Sequence, residues 1–167
     1  MSPATQVGSV LIAGIGNIFR GDDGFGVAVA ARLARTALPL NVRAVDFGIR
    51  GFDLVLELLT GHDVTIFVDT ISRGGAPGTL YLIEPELSEL AETSMVENAH
   101  GLDPVRVLSI AKRMGAPETR VLVVGCEPAT LEDDSGRLGL SEAVEAAVGP
   151  AIEMIQSIIH RSGKEQI

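Results

Sequence analysis

The sequence predicts an α/β domain with three layers, in which a mostly parallel, twisted, five-stranded sheet carries helices on both faces. The first observation is that short, unbroken apolar runs alternate along the chain with segments whose apolar residues recur at helical spacing. Strands that alternate with helices build a mostly parallel sheet. The second observation is an apolar content of 46%, which suits strands that are buried on both faces.

Five strands and four helices are predicted from these runs. The predicted strands cover residues 10–14, 42–46, 64–68, 79–83 and 120–125. The predicted helices cover residues 24–38, 52–59, 104–114 and 140–160. Pro39 follows the first helix, Pro104 suits the first turn of the third, and Ser141 is placed to cap the fourth. A short helical piece followed by a loop is predicted for residues 86–101, the least regular part of the chain.

Length, charge and cysteine content limit the domain count and the class of partner. The 167 residues hold no internal repeat or linker, so one domain is predicted over residues 1–167, with its core from about 8 to 160. The net charge of −9 argues against nucleic acid as a partner, because phosphate contacts need a basic surface. No apolar stretch reaches the roughly 18 residues that span a bilayer, and no basic region precedes an apolar one at the N-terminus. With a single cysteine as well, a cytoplasmic protein without a membrane partner is predicted.

Acidic residues follow the ends of several predicted strands. Asp23, Asp46, Asp69 and Glu127 each lie close to such an end, and ligand sites in open α/β sheets form outside the carboxyl ends of the strands. Asp22 and Asp23 are adjacent at the start of a helix, where acidic residues can simply cap free N–H groups. Two adjacent carboxylates exceed what capping requires, and a cation would relieve their repulsion.

One histidine completes a candidate metal-binding set. His100 lies in an irregular segment, and with Asp69 and an acid of the first loop it supplies two carboxylates and an imidazole. Such N/O ligands suit nickel or zinc, and three protein ligands leave coordination positions open, as in catalytic sites. The other histidines are not expected to be ligands: His62 is predicted to be solvated in a polar turn, and His160 suits the C-terminal dipole of the last helix.

Two other chemistries match the sequence less well. Gly14-x-Gly16 invites a dinucleotide-binding interpretation, but the third glycine of that fingerprint is missing and the two adjacent acids would repel a pyrophosphate. Asp46 ends the second strand, as a ribose-binding acid would, and keeps this alternative open. Cys126 is expected to be a small buried hydrophobe rather than a thiol nucleophile, since no base lies beside it in the sequence.

Seven short motifs along the chain form a recognisable set. The most specific is the segment from Leu11 to Val27, a glycine-asparagine loop followed by an acid pair and a helix. The others are Val-Asp-Phe-Gly at 45–48, Phe-Val-Asp-Thr at 67–70, Ala-Pro-Gly-Thr at 76–79, Ala-His-Gly-Leu at 99–102, Gly-Cys-Glu-Pro at 125–128 and Leu-Gly-Leu-Ser at 138–141. With this set, the chain from about residue 10 to residue 159 resembles the hydrogenase maturation endopeptidases, cytosolic enzymes that process the large subunit of nickel-iron hydrogenases.

This resemblance implies roles for particular residues. In that family the metal is held by an acid of the first loop, the acid that ends the third strand and a histidine, and these fall here on Asp23, Asp69 and His100. Asp46 matches a further functional acid of the family and is the candidate catalytic residue. Either Asp46 or Asp22 could be the spare carboxylate that moves a proton.

The resemblance also implies a function. The enzyme would remove the C-terminal extension from the nickel-loaded large-subunit precursor of a nickel-iron hydrogenase, with substrate-borne nickel as the recognition element and zinc or another divalent ion as a surrogate. A non-catalytic, nickel-dependent maturation chaperone that binds the same precursor would use the same ligands and stays an alternative. Phe19, Phe25 and Phe47 are candidates for an apolar rim around the site, and of the three Phe25 is the one expected in the core.

Overall fold

Five strands form one sheet in the order β2-β1-β3-β5-β4 in the computed structural model, which describes residues 8–86, 103–129 and 138–162. The strands are β1 (Val10–Ile15), β2 (Val42–Gly48), β3 (Val64–Thr70), β4 (Leu80–Ile83) and β5 (Arg120–Cys126). The pairs β1–β2, β1–β3 and β3–β5 are parallel, and only the edge strand β4 runs antiparallel, to β5. The predicted fold class is confirmed.

Four α-helices and a short 3-10 turn cover the described part of the sheet. The helices are α1 (Phe25–Ala34), α2 (Gly51–Leu59), α3 (Pro104–Arg113) and α4 (Glu142–Ser162), and the turn is Gly21–Gly24. Helices α1 and α4 pack on one face of the sheet, and α2 and α3 pack on the other. No helix among these described residues is both long enough and apolar enough to cross a bilayer.

The two apolar clusters follow from the side-chain alternation along the strands. On β1, Val10 and Ile12 face the cluster under α1 and α4, whereas Leu11, Ala13 and Ile15 face the cluster under α2 and α3. All five side chains are at most 2% exposed. Because both faces are buried, the strand is a continuous apolar run rather than an alternating one.

The first helix differs from its prediction at both ends. Residues 21–24 form the 3-10 turn, so α1 begins at Phe25, and α1 ends at Ala34 rather than at residue 38. The chain leaves the helix where the hydroxyl of Thr36 donates a hydrogen bond to the carbonyl of Leu33 at 2.8 Å. Leu38, whose spacing suggested a longer helix, packs against the core from beyond the helix end.

Two strands continue two residues further than predicted. β2 runs to Gly48 rather than ending at Asp46, and β3 runs to Thr70, so Asp69 lies within its strand rather than after it. Their neighbours in the sheet continue alongside, because Gly48 pairs with Ile15 and β3 stays in register with β5 to its last residue. The sheet itself therefore holds both acids. The loop predicted within 86–101 lies almost wholly outside the described residues.

His62 is not solvated, and this prediction was wrong. Its side chain is 9% exposed, and its Nε2 lies 3.0 Å from Oε1 of Glu57. The short Gly-His-Asp segment indicated a surface turn. The imidazole instead folds back onto the end of α2, which a local pattern could not reveal.

Candidate metal and catalytic site

The carboxyl ends of three neighbouring parallel strands bring two acids to one edge of the sheet. Gly14, near the end of β1, pairs with Asp46 of β2 on one side and with Val68 of β3 on the other. Asp69 follows Val68 in β3, so it lies one residue closer to the carboxyl end of the sheet than the Gly14–Val68 pair. Asp46 and Asp69 thus flank the end of β1, at the edge where the sequence predicted the site.

The 3-10 turn after β1 brings Asp23 to the same edge. Gly16 has a φ of +134°, and a Cβ on it would lie 1.8 Å from the carbonyl oxygen of Asp23, so only glycine allows this close approach. The backbone N–H of Asn17 donates a hydrogen bond to Oδ2 of Asp23 at 2.8 Å. The loop backbone therefore orients the Asp23 carboxylate.

A second glycine lets the start of α1 press against the strand ends. A Cβ on Gly26 would lie 2.0 Å from the carbonyl oxygen of Val68 and 2.4 Å from that of Ile15. The glycines of this segment thus serve close helix–sheet packing under Asp23. They do not give a dinucleotide fingerprint, because Asp22 and Asp23 occupy the entry to α1, where a pyrophosphate would need N–H groups.

Asp23 and Asp69 are close enough to repel each other. Burial raises the pKa of Asp69 well above its usual range, and the negative charge of Asp23 raises it further, while the hydrogen bond from the backbone N–H of Thr70, at 2.8 Å, acts the other way. A divalent cation beside such a carboxylate favours its ionised form. The described pair therefore fits a metal ion of the predicted kind.

Asp22 has a structural role instead of a catalytic one. Its side chain is 2% exposed. It accepts hydrogen bonds from the backbone N–H groups of Ala129 at 2.9 Å and Ser141 at 2.6 Å, and from the hydroxyl of Ser141 at 2.9 Å. A buried carboxylate whose two oxygens accept three hydrogen bonds from the fold is poorly placed to reach substrate, which favours Asp46 over Asp22 as the proton carrier. Ser141 directs its hydroxyl to this carboxylate.

The sequence indicated Glu127 as a candidate site residue only because it follows a predicted strand, whereas the structure shows its hydrogen-bond partners. Its carboxylate accepts hydrogen bonds from the backbone N–H groups of Arg73 at 2.8 Å and Gly74 at 3.2 Å, and from the hydroxyl of Tyr81 at 2.8 Å. These bonds hold the pKa of Glu127 below its usual range, with the Arg73 N–H as the largest cause. Glu127 thus fixes the connection between β3 and β4.

The predicted third ligand cannot be placed. His100 lies outside the described residues, and within the ranges that are described no three His, Cys, Asp or Glu side chains form a cluster that could hold a metal. The structure thus brings together Asp23 and Asp69, with Asp46 across the end of β1. The assignment of His100 stays a prediction.

The apolar rim is only partly as expected. Phe19 is 63% exposed on the loop that carries Asp23, as a rim residue should be. Phe25 is fully buried, as the helical spacing indicated, but Phe47 is also buried, at 4% exposure, so its assignment to the rim was wrong. Phe47 occupies an irregularity in the β1–β2 pairing, which turns its side chain into the cluster under α2.

Cys126 is not a nucleophile. It is fully buried, and burial, together with the nearby charges of Asp22 and Glu127, raises the pKa of its thiol to about 11. A thiol of this kind is almost entirely protonated at neutral pH. The expectation of a buried hydrophobe is confirmed.

An apolar cavity of about 280 Å³ lies at the opposite edge of the sheet. Its walls come from the end of α2, from α3 and from the segment before β5, and Glu118 is the one carboxylate in its lining. The acids predicted from the sequence are at the other edge. We call the end of the sheet that carries Asp23, Asp46 and Asp69 the acidic edge, and this edge, rather than the cavity, is the candidate site.

The family model and the sequence relatives that match this chain are all hydrogenase maturation or expression/formation proteins. A family model described as "HycI: Hydrogenase maturation protease" matches residues 27–158. The hydrogenase 2 maturation protease of Escherichia coli is 30% identical over 159 residues, which cover 95% of this chain and 94% of that protein. The hydrogenase expression/formation protein HupD of Rhodobacter capsulatus is 32% identical over 158 residues, covering 93% of this chain and 75% of that one.

Solved structures agree with the sequence relatives. The hydrogenase maturating endopeptidase HybD from Escherichia coli superposes with a TM-score of 0.79 at 30% identity, covering 93% of this chain and 94% of that chain. The [NiFe] hydrogenase maturation protease HycI from Thermococcus kodakarensis gives a TM-score of 0.74 at 27% identity, covering 94% and 96%. Fold, acidic edge and relatives point the same way: this chain belongs to the hydrogenase maturation protease family and is a peptidase.

Proposed function

We propose that this peptidase removes the C-terminal extension from the large-subunit precursor of a nickel-iron hydrogenase, and that it acts only when the precursor carries nickel. Membership of the family supports a hydrogenase precursor as the substrate. The nickel ion belongs to the precursor and reaches the site as part of the substrate. Zinc or another divalent ion would bind the same carboxylates as a surrogate.

The placement of Asp23 and Asp69 at the carboxyl ends of the neighbouring strands β1 and β3 is the observation that carries this proposal. Asp69 is partly buried with a raised pKa, and the charge of Asp23 adds to that rise. Such a pair gains stability when a cation arrives. With two carboxylates, and His100 as the predicted third ligand, the protein supplies too few ligands to saturate a metal ion. The remaining positions suit an ion that the precursor still holds.

Asp46 is the residue that we assign to proton transfer. A divalent ion at this edge would polarise a carbonyl or lower the pKa of a bound water. Asp46 lies across the end of β1 from Asp69, and the structure shows no hydrogen bond from another described residue to its carboxylate. The partial exposure of Asp46 leaves it reachable by substrate. Asp22, the other option, is occupied by its three donors.

A mass spectrum of the nickel-loaded precursor, before and after incubation with the enzyme, tests the proposal. We expect loss of a C-terminal peptide from the loaded precursor and no change in a nickel-free control. Asp23→Asn, Asp69→Asn and His100→Ala should abolish cleavage, and Asp46→Asn should lower kcat by about 100-fold or more while binding persists. Equal cleavage of both precursors would refute nickel recognition. A stable complex without any mass loss would instead indicate the chaperone alternative.

A further inference from the structure

Four large apolar side chains near the acidic edge are exposed. Ile18, Phe19, Ile49 and Phe52 have exposed fractions of 48%, 63%, 65% and 67%. The first two lie on the loop that leads into Asp23, and the other two lie shortly after Asp46. We call these four residues the apolar patch. Ile18 and Phe19 on one loop, Ile49 on the neighbouring loop and Phe52 in the first turn of α2 form the kind of surface that marks a protein-binding site.

Hydrogen bonds hold the two loops of the apolar patch together. The backbone N–H of Gly16 donates to the carbonyl of Gly48 at 3.0 Å, which joins the loop after β1 to the loop after β2. The guanidinium of Arg50 donates to the carbonyl oxygens of Asp46 and Phe47 and fixes the second loop from within. The backbone N–H of Phe19 donates to Oδ1 of Asn17 at 2.9 Å. The patch is therefore formed before any partner arrives, which lowers the entropy cost of binding.

The apolar patch is not a displaced part of the core. Helix α2 already buries Leu54, Val55 and Leu58 against the sheet, and Phe52 lies in the first turn of the same helix on another face. Ile18 and Phe19 belong to a loop whose backbone wraps around the Asp23 carboxylate, so their side chains have no place in either apolar cluster. The fold leaves these side chains outside while it fixes the backbone that carries them.

We propose that the apolar patch is the surface on which apolar residues of the precursor dock, next to the cation that Asp23 and Asp69 receive. This inference rests on the proposed function and names its recognition surface. Charge decides the kind of partner. The acidic residues around the patch, Asp23, Asp46, Asp53 and Asp69, outnumber its basic neighbours Arg20 and Arg50, and the chain as a whole carries −9. A partner that brings a divalent cation to Asp23 and Asp69 complements this acidic surface, and the metal-bearing precursor of the proposed function is such a partner.

A second copy of this chain does not complement the acidic surroundings of the apolar patch. In a two-fold symmetric dimer each subunit uses the same surface. Two apolar patches packed together would bring two sets of acidic residues face to face without a cation of their own. Like charges opposed across an interface are costly. The charge pattern therefore favours the precursor over self-association.

Cleavage kinetics with the nickel-loaded precursor test the inference. Phe19→Ala and Phe52→Ala should each raise KM by about 10-fold with kcat within about twofold, because truncating a central aromatic contact costs binding and leaves the reacting groups in place. Leu40→Ala is the matched control: Leu40 is fully exposed just before β2, at the opposite edge of the sheet. It should leave both constants unchanged. Urea unfolding of each variant should match the wild type, since the altered side chains are exposed.

The outcomes separate this inference from the proposed function. If the wild type cleaves the loaded precursor and both phenylalanine variants keep its KM, the docking surface is refuted and the proposed function stands. If the wild type cleaves no precursor, the proposed function fails and this inference fails with it. Sedimentation velocity at the assay concentration tests self-association. If the wild type is a dimer, if either phenylalanine variant is a monomer and if KM is unchanged, the apolar patch binds a second copy of this chain instead of the precursor.

Discussion

At the residue scale, Asp22 and Asp23 show how neighbours with the same side chain acquire different tasks. The 3-10 turn directs the Asp22 carboxylate inward, where three hydrogen bonds from Ala129 and Ser141 end on it. The Asp23 carboxylate stays at the edge of the sheet, where it acts on Asp69. Sequence reasoning identified the pair and its excess of charge. It could not divide the roles, because the donors to Asp22 lie more than 100 positions away, at separations of 107 and 119 residues.

Asp22→Asn tests the structural role at this scale. The amide offers one acceptor oxygen where the carboxylate has two, so one of the backbone N–H groups of Ala129 and Ser141 loses its partner inside the protein. We expect a loss of about 1–3 kcal/mol in the free energy of unfolding, measured by urea denaturation at pH 7. Asp53→Asn is the control, because Asp53 is exposed on α2 and its change should stay within about 0.5 kcal/mol. Equal effects of the two substitutions would contradict the role of Asp22.

At the element scale, the strand order explains why the acids converge. Because β1 lies between β2 and β3, the acids near the carboxyl ends of those two strands lie on either side of it. The sequence predicted the strands and the shared edge from apolar runs and the geometry of parallel sheets. It placed the end of β2 at Asp46 and the end of β3 just before Asp69, two residues too early in each case, because a polar acid after an apolar run resembles the start of a loop. Pairing with continuing neighbours, a non-local effect, decides where those strands end.

The connection from β3 to β4 should depend on pH through Glu127. Hydrogen bonds from Arg73, Gly74 and Tyr81 hold the pKa of Glu127 below 4.5, its usual value. For an acid with a lowered pKa in the folded state, the stabilisation is complete above the unfolded value and is lost as the pH falls through the folded one. Glu127→Gln removes the charge at every pH. We therefore expect the wild type to exceed this variant in urea resistance above about pH 4.5, and the difference to shrink on acidification.

The measurement for Glu127 is urea unfolding of both proteins across the acidic range. Glu84→Gln serves for comparison, because Glu84 also has a lowered pKa but forms its ion pair with Arg120 at the exposed surface. Its contribution should be small and should fall when salt is added. A wild-type advantage over Glu127→Gln that stays constant from neutral to strongly acidic pH would show that the carboxylate charge does not stabilise this connection.

At the scale of the whole molecule, the carboxylates of the acidic edge that the proposed function requires lower the stability of the fold. The sequence predicted the three layers, the parallel sheet and the position of Asp23, Asp46 and Asp69 near strand ends, since these follow from periodicity and from the ends of apolar runs. It could not predict the burial of Phe47 or His62, because each depends on packing between distant segments. Nor could it predict that Asp69 would be a partly buried acid beside a second carboxylate. That arrangement opposes folding, and in the proposed function a cation would offset its cost.

Asp69→Asn should therefore make the metal-free protein more stable and inactive. The raised pKa of Asp69 means that folding at pH 7 either buries a charge beside Asp23 or requires a proton from solvent, and the amide does neither. We expect a higher urea midpoint and a melting temperature raised by a few degrees in the presence of a chelator, with precursor cleavage lost. Asp23→Asn should shift stability in the same direction, because it removes the charge that acts on Asp69, whereas the exposed Asp53→Asn should not. Functional sites commonly carry such a cost. A less stable Asp69→Asn protein would mean that the carboxylate supports the fold, and the cation-receiving role of the pair would then lose its main physical support.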